Sequence, residues 1–214
     1  MWGYLPQTRR VRRLSPSTRS DPIAGIDLFP DDGNCYAGKV EYMKWTLKGR
    51  GKILAPVTGV YAFALRPLTP TRFAVDIPAT RAAYETPGAT GAPWQIVDGL
   101  VYVPRDVWIV EGESTDPQYN FARVVFYFDA EMYQIHWKLV YNRAGEYFYN
   151  AACSHHWAKS ADDTYSAVAN DLVIGVNDKT NTAALGGRVT THFLERQFAR
   201  ERFTLPALLR GRAD

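Results

Sequence analysis

Short segments in which apolar and polar residues alternate recur along this chain, and this pattern limits its possible folds more than any other feature. The clearest is residues 133–141, where Tyr, Ile, Trp, Leu and Tyr fall on one face and Gln, His, Lys and Val on the other. Similar segments, separated by turn residues, fill residues 23–185, where helical periodicity is almost absent. The pattern predicts a mainly β protein, with a jelly-roll-like antiparallel β-sandwich as the expected architecture.

About nine or ten strands are expected at roughly ten-residue spacing. The main candidates are residues 39–47, 52–66, 72–77, 95–103, 106–111, 121–129, 133–142, 146–152 and 171–177. Residues 31–34 (Asp-Asp-Gly-Asn) and 49–51 (Gly-Arg-Gly) are predicted turns, because these residue types favour the backbone conformations of tight turns.

Charge divides the chain into three predicted parts. The first 20 residues carry +5, the last 20 carry +2, and the net charge of +3 therefore leaves −4 for the residues between them. Residues 1–22, which contain Pro6, Pro16 and Pro22, are predicted to be an extended Arg-rich arm, and residues 23–187 the β-sandwich body. Residues 188–214 are predicted to hold a short C-terminal helix over 190–202 and a tail.

Two cysteines, Cys35 and Cys153, are too few for a disulfide framework, and they can pair only if their Cα atoms come within about 7 Å. The N-terminal residues lack the apolar run of a secretory signal, and no window of about 18 apolar residues suggests a membrane span. The sequence therefore predicts a soluble protein made in the cytosol, with free thiols and without membrane contact.

No catalytic or cofactor motif stands out. Cys153, His155 and His156 lie close in sequence, and His136 and His192 are the other histidines, but their spacing does not match a zinc site. The acidic pairs at residues 31–32 and 162–163 could bind calcium, although ordinary turn chemistry explains them better. We therefore expect no metal, no cofactor and no enzymatic activity.

The basic arm is the most informative polar feature. Arg9, Arg10, Arg12 and Arg13 could neutralise phosphates of a nucleic acid or dock on an acidic neighbouring subunit, and the interleaved apolar residues favour docking on protein. The apolar residues expected on one side of the C-terminal helix suggest a second docking element. They are Phe193, Leu194 and Phe198.

Residues 55–63, which read Ala-Pro-Val-Thr-Gly-Val-Tyr-Ala-Phe, resemble the strand of complement-type and tumour-necrosis-factor-like globular heads that follows a loop and enters the core. This resemblance supports a jelly-roll-like sandwich. It also implies a trimeric or otherwise multivalent protein that binds a partner rather than catalyses a reaction.

With its basic arm and its docking helix, the chain resembles a viral or bacteriophage structural protein. The first hypothesis is a capsid, cement, decoration or head or tail fibre component, located in the virion and bound to copies of itself and to other virion proteins. Weak nucleic-acid contact and a surface glycan are further possible interactions. The alternatives are a carbohydrate-binding module and an unrecognised hydrolase. Candidate sugar-stacking aromatics are Trp94, Trp108, Trp137 and Trp157.

Overall fold

The structure is a computed structural model. It describes residues 2–5, 10–13, 17–23, 25–60, 62–82, 85, 87–88, 97–187, 190–195 and 200–210.

The described residues form fifteen strands and a few short helical turns. The strands are β1 Trp2–Leu5, β2 Arg10–Arg13, β3 Met43–Thr58, β4 Ala62–Ala64, β5 Arg66–Thr69, β6 Arg72–Asp76, β7 Arg81–Ala82, β8 Val97–Asp98, β9 Leu100–Ser114, β10 Arg123–Asp129, β11 Ile135–Tyr141, β12 Tyr147–Lys159, β13 Ser166–Asn177, β14 Thr182–Gly187 and β15 Thr191–Glu195. The 3₁₀ helices are Ser17–Ser20, Pro30–Cys35, Val40–Tyr42 and Arg200–Phe203, and the α-helix α1 is Leu205–Arg210. Within this described part of the chain, no helix is long and apolar enough to cross a membrane.

One large sheet dominates the fold, with the strand order β14-β13-β12-β11-β10-β9-β3 and antiparallel pairing between neighbours. Its eighth strand, β4, pairs in parallel with the end of β12, where β12 extends beyond β11. Smaller sheets join β15-β6-β5, β1-β2 and β7-β8. The mainly β, antiparallel prediction is confirmed.

The jelly-roll prediction is wrong, because the large sheet is an open meander. From β9 to β14 each strand pairs with the next along the chain, whereas a jelly roll needs the long crossovers of two Greek keys. The resemblance at residues 55–63 misled because this run is not one strand. β3 ends at Thr58, and Gly59 adopts φ +71°. β4 then pairs with β12, which is separated from β3 in the sheet order by β9, β10 and β11.

The predicted turn at residues 49–51 is also wrong, because β3 continues through it. A bulge at Lys48 shifts the register with β9, and Gly49 takes φ +147°, a value that residues with a side chain rarely adopt. β9 likewise continues through Pro104. The pairing of β9 with β10 ends before this position, and Pro104 pairs with Leu54 of β3. A proline lacks the N–H that a strand paired on both sides would use.

The main core lies on one face of the large sheet, which we call the covered face because residues 28–42 pack over it. It is rich in aromatic rings that meet edge to face, such as Phe29 against Phe121 and against Tyr149, each with ring centroids 4.9 Å apart. A second cluster joins the three-stranded sheet to the end of β12, and a third lies on the opposite face of the large sheet.

Residues 191–195 form strand β15 rather than the helix that we predicted over 190–202. Phe193 and Leu194 lie next to each other in this strand, which pairs antiparallel with β6; Leu194 packs on the second core cluster and Phe193 is 60% exposed. Pairing with β6 uses the backbone N–H and C=O groups that a helix would have bonded internally. Phe198 lies outside the described residues, and the short helix in this region is α1, farther along the chain.

At the N-terminus, Arg10, Arg12 and Arg13 belong to β2, which forms a hairpin with β1. Arg9 lies outside the described residues. Arg19 falls within the predicted arm but is buried. The division into arm, body and tail stays a prediction.

A network of buried charges fastens Asp31 and Asp32 to the sheet. The Nζ atom of Lys138, on β11, lies 2.5 Å from Oδ1 of Asp32 and donates a hydrogen bond to the backbone oxygen of Asp31 at 2.9 Å. The Tyr149 hydroxyl and the Phe29 backbone N–H both donate to Oδ2 of Asp32, each at 2.7 Å. These groups lie in the main core, so each charge depends on its partners for stabilisation.

The neighbouring carboxylate is held in the same way. Arg19 donates to both oxygens of Asp31, at 2.7 and 2.9 Å, and the Tyr119 hydroxyl donates to Oδ2 of the same carboxylate. Burial raises the pKa of Asp31, and the hydrogen bond from Tyr119 and the charge of Arg19 counteract this only in part. The acidic pair at residues 31–32, predicted as part of a turn and considered as a calcium ligand, is therefore bound to cations and phenols of the protein itself.

We predict that Lys138→Met lowers the free energy of unfolding by about 3–5 kcal/mol, because it leaves the buried charge of Asp32 without its cation. Lys179→Met is the matched control, since Lys179 pairs with Glu146 at the surface, where solvent screens the pair, and its loss should change stability far less. Urea denaturation measures both values. Equal effects of the two substitutions would show that the buried ion pair contributes no more to the free energy of unfolding than the surface pair.

Candidate ligand-binding cavity

An open cavity of about 710 Å³ lies on the covered face, beside the main core. Its lining residues come from four neighbouring strands and from the segment at residues 34–40. They are Asn34, Tyr36, Gly38, Val40, Trp45, Leu47, Trp108, Val110, Phe128, Tyr133, Gln134 and Ile135. Most of these side chains are aromatic or aliphatic.

The alternation of side chains along each strand explains which residues of the sheet line the cavity. Trp45 and Leu47 alternate along β3, and Trp108 and Val110 alternate along β9, so all four point to the covered face. Trp45 lies opposite Gly112, where an added Cβ atom would meet the Trp45 ring at 3.0 Å. The glycine therefore leaves the space that the indole ring occupies.

The segment at residues 34–40 forms the opposite wall. The ring of Tyr36 packs edge to face against Trp45, with centroids 5.6 Å apart, and its hydroxyl donates to the backbone oxygen of Lys39 at 2.9 Å. The indole N–H of Trp45 donates to the backbone oxygen of Val40 at 2.7 Å. Because these polar atoms are bonded to the backbone of the wall, the rings offer mainly carbon to a ligand.

A disulfide anchors this wall to the sheet. Cys35, at the start of the wall, is bonded to Cys153 on β12, with the two Cα atoms 6.2 Å apart. The prediction of free thiols was wrong, because the fold brings together two residues that lie 118 positions apart in sequence. The bond joins the wall itself to the sheet, and just before the wall the ion pair of Asp32 with Lys138 joins the chain to β11.

The far rim of the cavity belongs to the turn between β10 and β11. Oδ1 of Asp129 accepts hydrogen bonds from the backbone N–H groups of Glu131 and Met132, and Oδ2 accepts from Nε of Arg105 at 2.7 Å. His136 lies 3.0 Å from the same oxygen. Burial acts to raise the pKa of Asp129, but the hydrogen bonds outweigh it and hold this pKa below its usual range, so the carboxylate stays charged and fixes the turn.

The guanidinium of Arg50 lies over the ring of Trp108 at the edge of the cavity. The Cζ atom of Arg50, on β3, lies 4.1 Å from the centroid of a Trp108 ring, and Arg50 lies directly opposite Trp108 in the pairing of β3 with β9. Arg50 is exposed. Since Trp108 lines the cavity, the guanidinium lies beside the apolar lining at the border with water.

The predicted sugar-stacking residues do not form one surface. Trp108 lines the cavity, Trp137 faces the opposite side of the sheet and donates its N–H to the backbone oxygen of Leu54, and Trp157 lies in β12 between β4 and β13. These three rings are only partly exposed, and Trp94 lies outside the described residues. Their positions give no support to a carbohydrate-binding module. Contacts of the N-terminal arginines and of Phe193, Leu194 and Phe198 with a partner are untested and stay a prediction.

The four histidines form two pairs, in which all but the half-buried His192 lie in the interior. His136 lies beside His155, and His156 beside His192, with ring centroids 5.7 and 6.1 Å apart. Burial and the neighbouring His136 lower the pKa of His155 to about 3, so its ring is neutral. Among the described residues, no group of three or more potential ligands has a geometry that could hold a metal ion.

Sequence reasoning missed most of the cavity. Residues 39–47, which contain Trp45 and Leu47, were expected to form a strand, but nothing local showed that the face of β9 carrying Trp108 and Val110 would join them. The wall was also missed: residues 31–34, which lead into it, were predicted as a turn, because the partners of Asp31 and Cys35 lie far away in sequence.

The chain belongs to the DUF1329 family of proteins of unknown function, whose model matches residues 1–204. A comparison with curated proteins finds no match.

Solved structures share its fold. A "putative outer membrane lipoprotein-sorting protein domain" from Vibrio parahaemolyticus has 15% identity and a TM-score of 0.55, covering 97% of this chain and 64% of that one. A DUF1329 family protein from Desulfovibrio piger has 12% identity and a TM-score of 0.51, covering 97% and 63%. A LolA superfamily protein from Nitrosomonas europaea has 11% identity and a TM-score of 0.49, covering 96% and 66%. The chain thus spans just under two thirds of the structures that it resembles.

These findings correct the functional hypothesis. Membership of the DUF1329 family overturns the interpretation as a viral or bacteriophage capsid, decoration or fibre protein, and with it the virion location and virion partners. The carbohydrate-binding and hydrolase alternatives gain no support. The basic arm and the expected docking helix carried most of the case for a virion protein, and residues 191–195 of that helix form strand β15 instead.

We predict that reduction of the disulfide lowers the free energy of unfolding by about 2–5 kcal/mol, because the open form has more conformational freedom when unfolded. Urea denaturation with and without a reductant measures the change. A double variant, Cys35→Ala with Cys153→Ala, is the control and should show no effect of the reductant. Labelling of both native cysteines by a thiol reagent, without denaturant or reductant, would contradict the bond.

We also predict that protonation of His155 on unfolding destabilises the fold in mild acid. The pKa of its ring is about 3 in the folded protein and about 6.5 in the unfolded chain, so the unfolded state binds more protons between these values. Above pH 6.5 His155 is mostly neutral in both states and does not lower the free energy of unfolding. This free energy falls by about 2 kcal/mol between pH 7 and pH 5.

The measurement for His155 is urea denaturation at several pH values. His155→Leu should lose that part of the pH dependence, whereas Lys159→Gln, an exposed change on the same strand, should retain all of it. An unchanged dependence in His155→Leu would refute the assignment.

Proposed function

We propose that this chain is a binding domain that holds the alkyl chain of a lipid in the cavity on the covered face. The carrying observation is the apolar lining that strands β3, β9, β10 and β11 and the wall at residues 34–40 together form. Lipid alkyl chains favour such a lining because each buried CH₂ group contributes about 0.8 kcal/mol.

The size of the cavity supports this proposal. Its volume of about 710 Å³ lies within the range of about 300–1,000 Å³ that is typical of small-molecule sites. The few polar side chains in the lining, such as Asn34 and Gln134, can orient a ligand without a need to bury a charge.

Binding rather than catalysis fits the residue types of the site. The described lining residues include no carboxylate, histidine or thiol that could act as an acid, base or nucleophile. The buried histidines and Asp171 are not among the lining residues, and the nearest of them, His136, lies against the Asp129 carboxylate.

Two further observations favour a role in the cell envelope. The Vibrio parahaemolyticus structure that shares the fold is described by a name that refers to lipoprotein sorting in the outer membrane, and transport of lipid-modified proteins requires that alkyl chains be shielded from water. The disulfide between Cys35 and Cys153 suits an oxidising compartment such as the bacterial periplasm. We therefore propose the periplasm as the location.

We predict that Val110→Trp fills the cavity and weakens the binding of an apolar fluorescent probe, N-phenyl-1-naphthylamine, by about tenfold or more, a loss of about 1.4 kcal/mol. The probe's increase in fluorescence on binding measures the affinity. Leu139→Trp is the matched control, because Leu139 lines a smaller cavity, of about 440 Å³, on the opposite face. If Leu139→Trp abolished binding and Val110→Trp did not, the ligand site would lie on the opposite face of the sheet, which would contradict the proposal.

A further inference from the structure

The basic residues of β3 differ in how their charges are balanced. Lys44 lies directly opposite Glu113 on β9, Lys48 forms an ion pair with Glu111, and Lys52 forms an ion pair with Asp106. Each of these three lysines therefore has a carboxylate across the strand pair.

Arg50 is the exception. Its partner in the strand register is Trp108, and its guanidinium lies over that indole ring instead of against an acid. No ion pair joins Arg50 to a carboxylate of the described residues. Its positive charge therefore lacks an ion-pair partner among the described residues, and it lies over Trp108, which lines the cavity.

The position of this cation suits the polar end of an amphiphile. The lining of the cavity carries no carboxylate or other charged group, so a charged headgroup is stable only at the border with water, where Arg50 is exposed. The guanidinium N–H donors form a planar fork that matches the two oxygens of a carboxylate.

We propose that the ligand is a single-chain carboxylate, of the fatty-acid class, whose headgroup binds Arg50 and whose alkyl chain lies along Trp108 and Val110 toward Trp45 and Phe128. This inference rests on the proposed function and names its ligand class. A single alkyl chain fits a cavity of about 710 Å³ better than the two chains of a diacyl lipid, because the volume is in the range for one compact small molecule. One cation matches one negative charge, and the nearby carboxylate of Asp106 disfavours a headgroup of higher charge.

The test compares two ligands that differ only in the headgroup, dodecanoate and dodecan-1-ol, at pH 8 and below micelle-forming concentrations. Their affinities are measured by displacement of N-phenyl-1-naphthylamine from the full chain. The wild-type protein should bind dodecanoate about tenfold to a hundredfold more tightly, since hydrogen bonds between charged groups contribute about 1.5–3 kcal/mol.

Two variants of Arg50 and one matched control test whether Arg50 causes this preference for dodecanoate. Arg50→Gln should abolish the preference by weakening dodecanoate binding while leaving dodecan-1-ol binding unchanged, and Arg50→Glu should reverse it by charge repulsion. Lys52→Gln, a change of the same kind on the same strand, should retain the preference because Lys52 is already paired.

The outcomes separate this inference from the function on which it rests. Equal wild-type affinity for both ligands, or a preference that survives in Arg50→Gln, overturns the headgroup assignment and leaves alkyl-chain binding intact. Failure of the probe and of both ligands to bind overturns the proposed function as well.

Discussion

The buried ion pair between Lys138 and Asp32 is the interaction on which the rest of the structure depends. Lys138 stands in the middle of the sheet, on a face that is otherwise aromatic and aliphatic, and a cation there is stable only when a carboxylate covers it. The segment that supplies the carboxylate must therefore lie over this face, and with Asp31 and Arg19 it brings the N-terminal part of the chain with it. An apolar residue at position 138 would leave the segment without this constraint on its position.

The cavity exists because this segment is fixed at one end and the sheet is left uncovered at the other. The disulfide of Cys35 and the carboxylate of Asp32 hold the segment against β11 and β12, over the main core. Farther toward β9 and β3, contact is made by the rings of Tyr36 and Trp45, and beyond them the side chains of the sheet face an open space. Rigid anchoring and incomplete coverage together produce a preformed apolar site.

Local sequence patterns predicted the strands well and their arrangement poorly. The bounds of the strand at Arg72–Asp76 and of β11 were predicted to within two residues, but the predicted faces of β11 were wrong. The register shifts at His136, so Lys138 and Val140 face the main core while Trp137 and Leu139 face the opposite side. The long β3 strand was predicted with a break at Gly49, since a glycine-rich triplet alone favours a turn and only pairing with β9 keeps it extended. The wall of the cavity was missed because its contacts join residues more than a hundred positions apart.

The disulfide also has a consequence for the order of events during synthesis. Cys35 emerges early, but its partner on β12 follows only after β3 to β11 have been made. Chains are synthesised from the N-terminus, so the strands that line the cavity exist before the wall can be locked over them. Until then the segment is held over the sheet by non-covalent contacts, among them the ion pair of Asp32 with Lys138 on β11 and the packing of Phe29 in the main core.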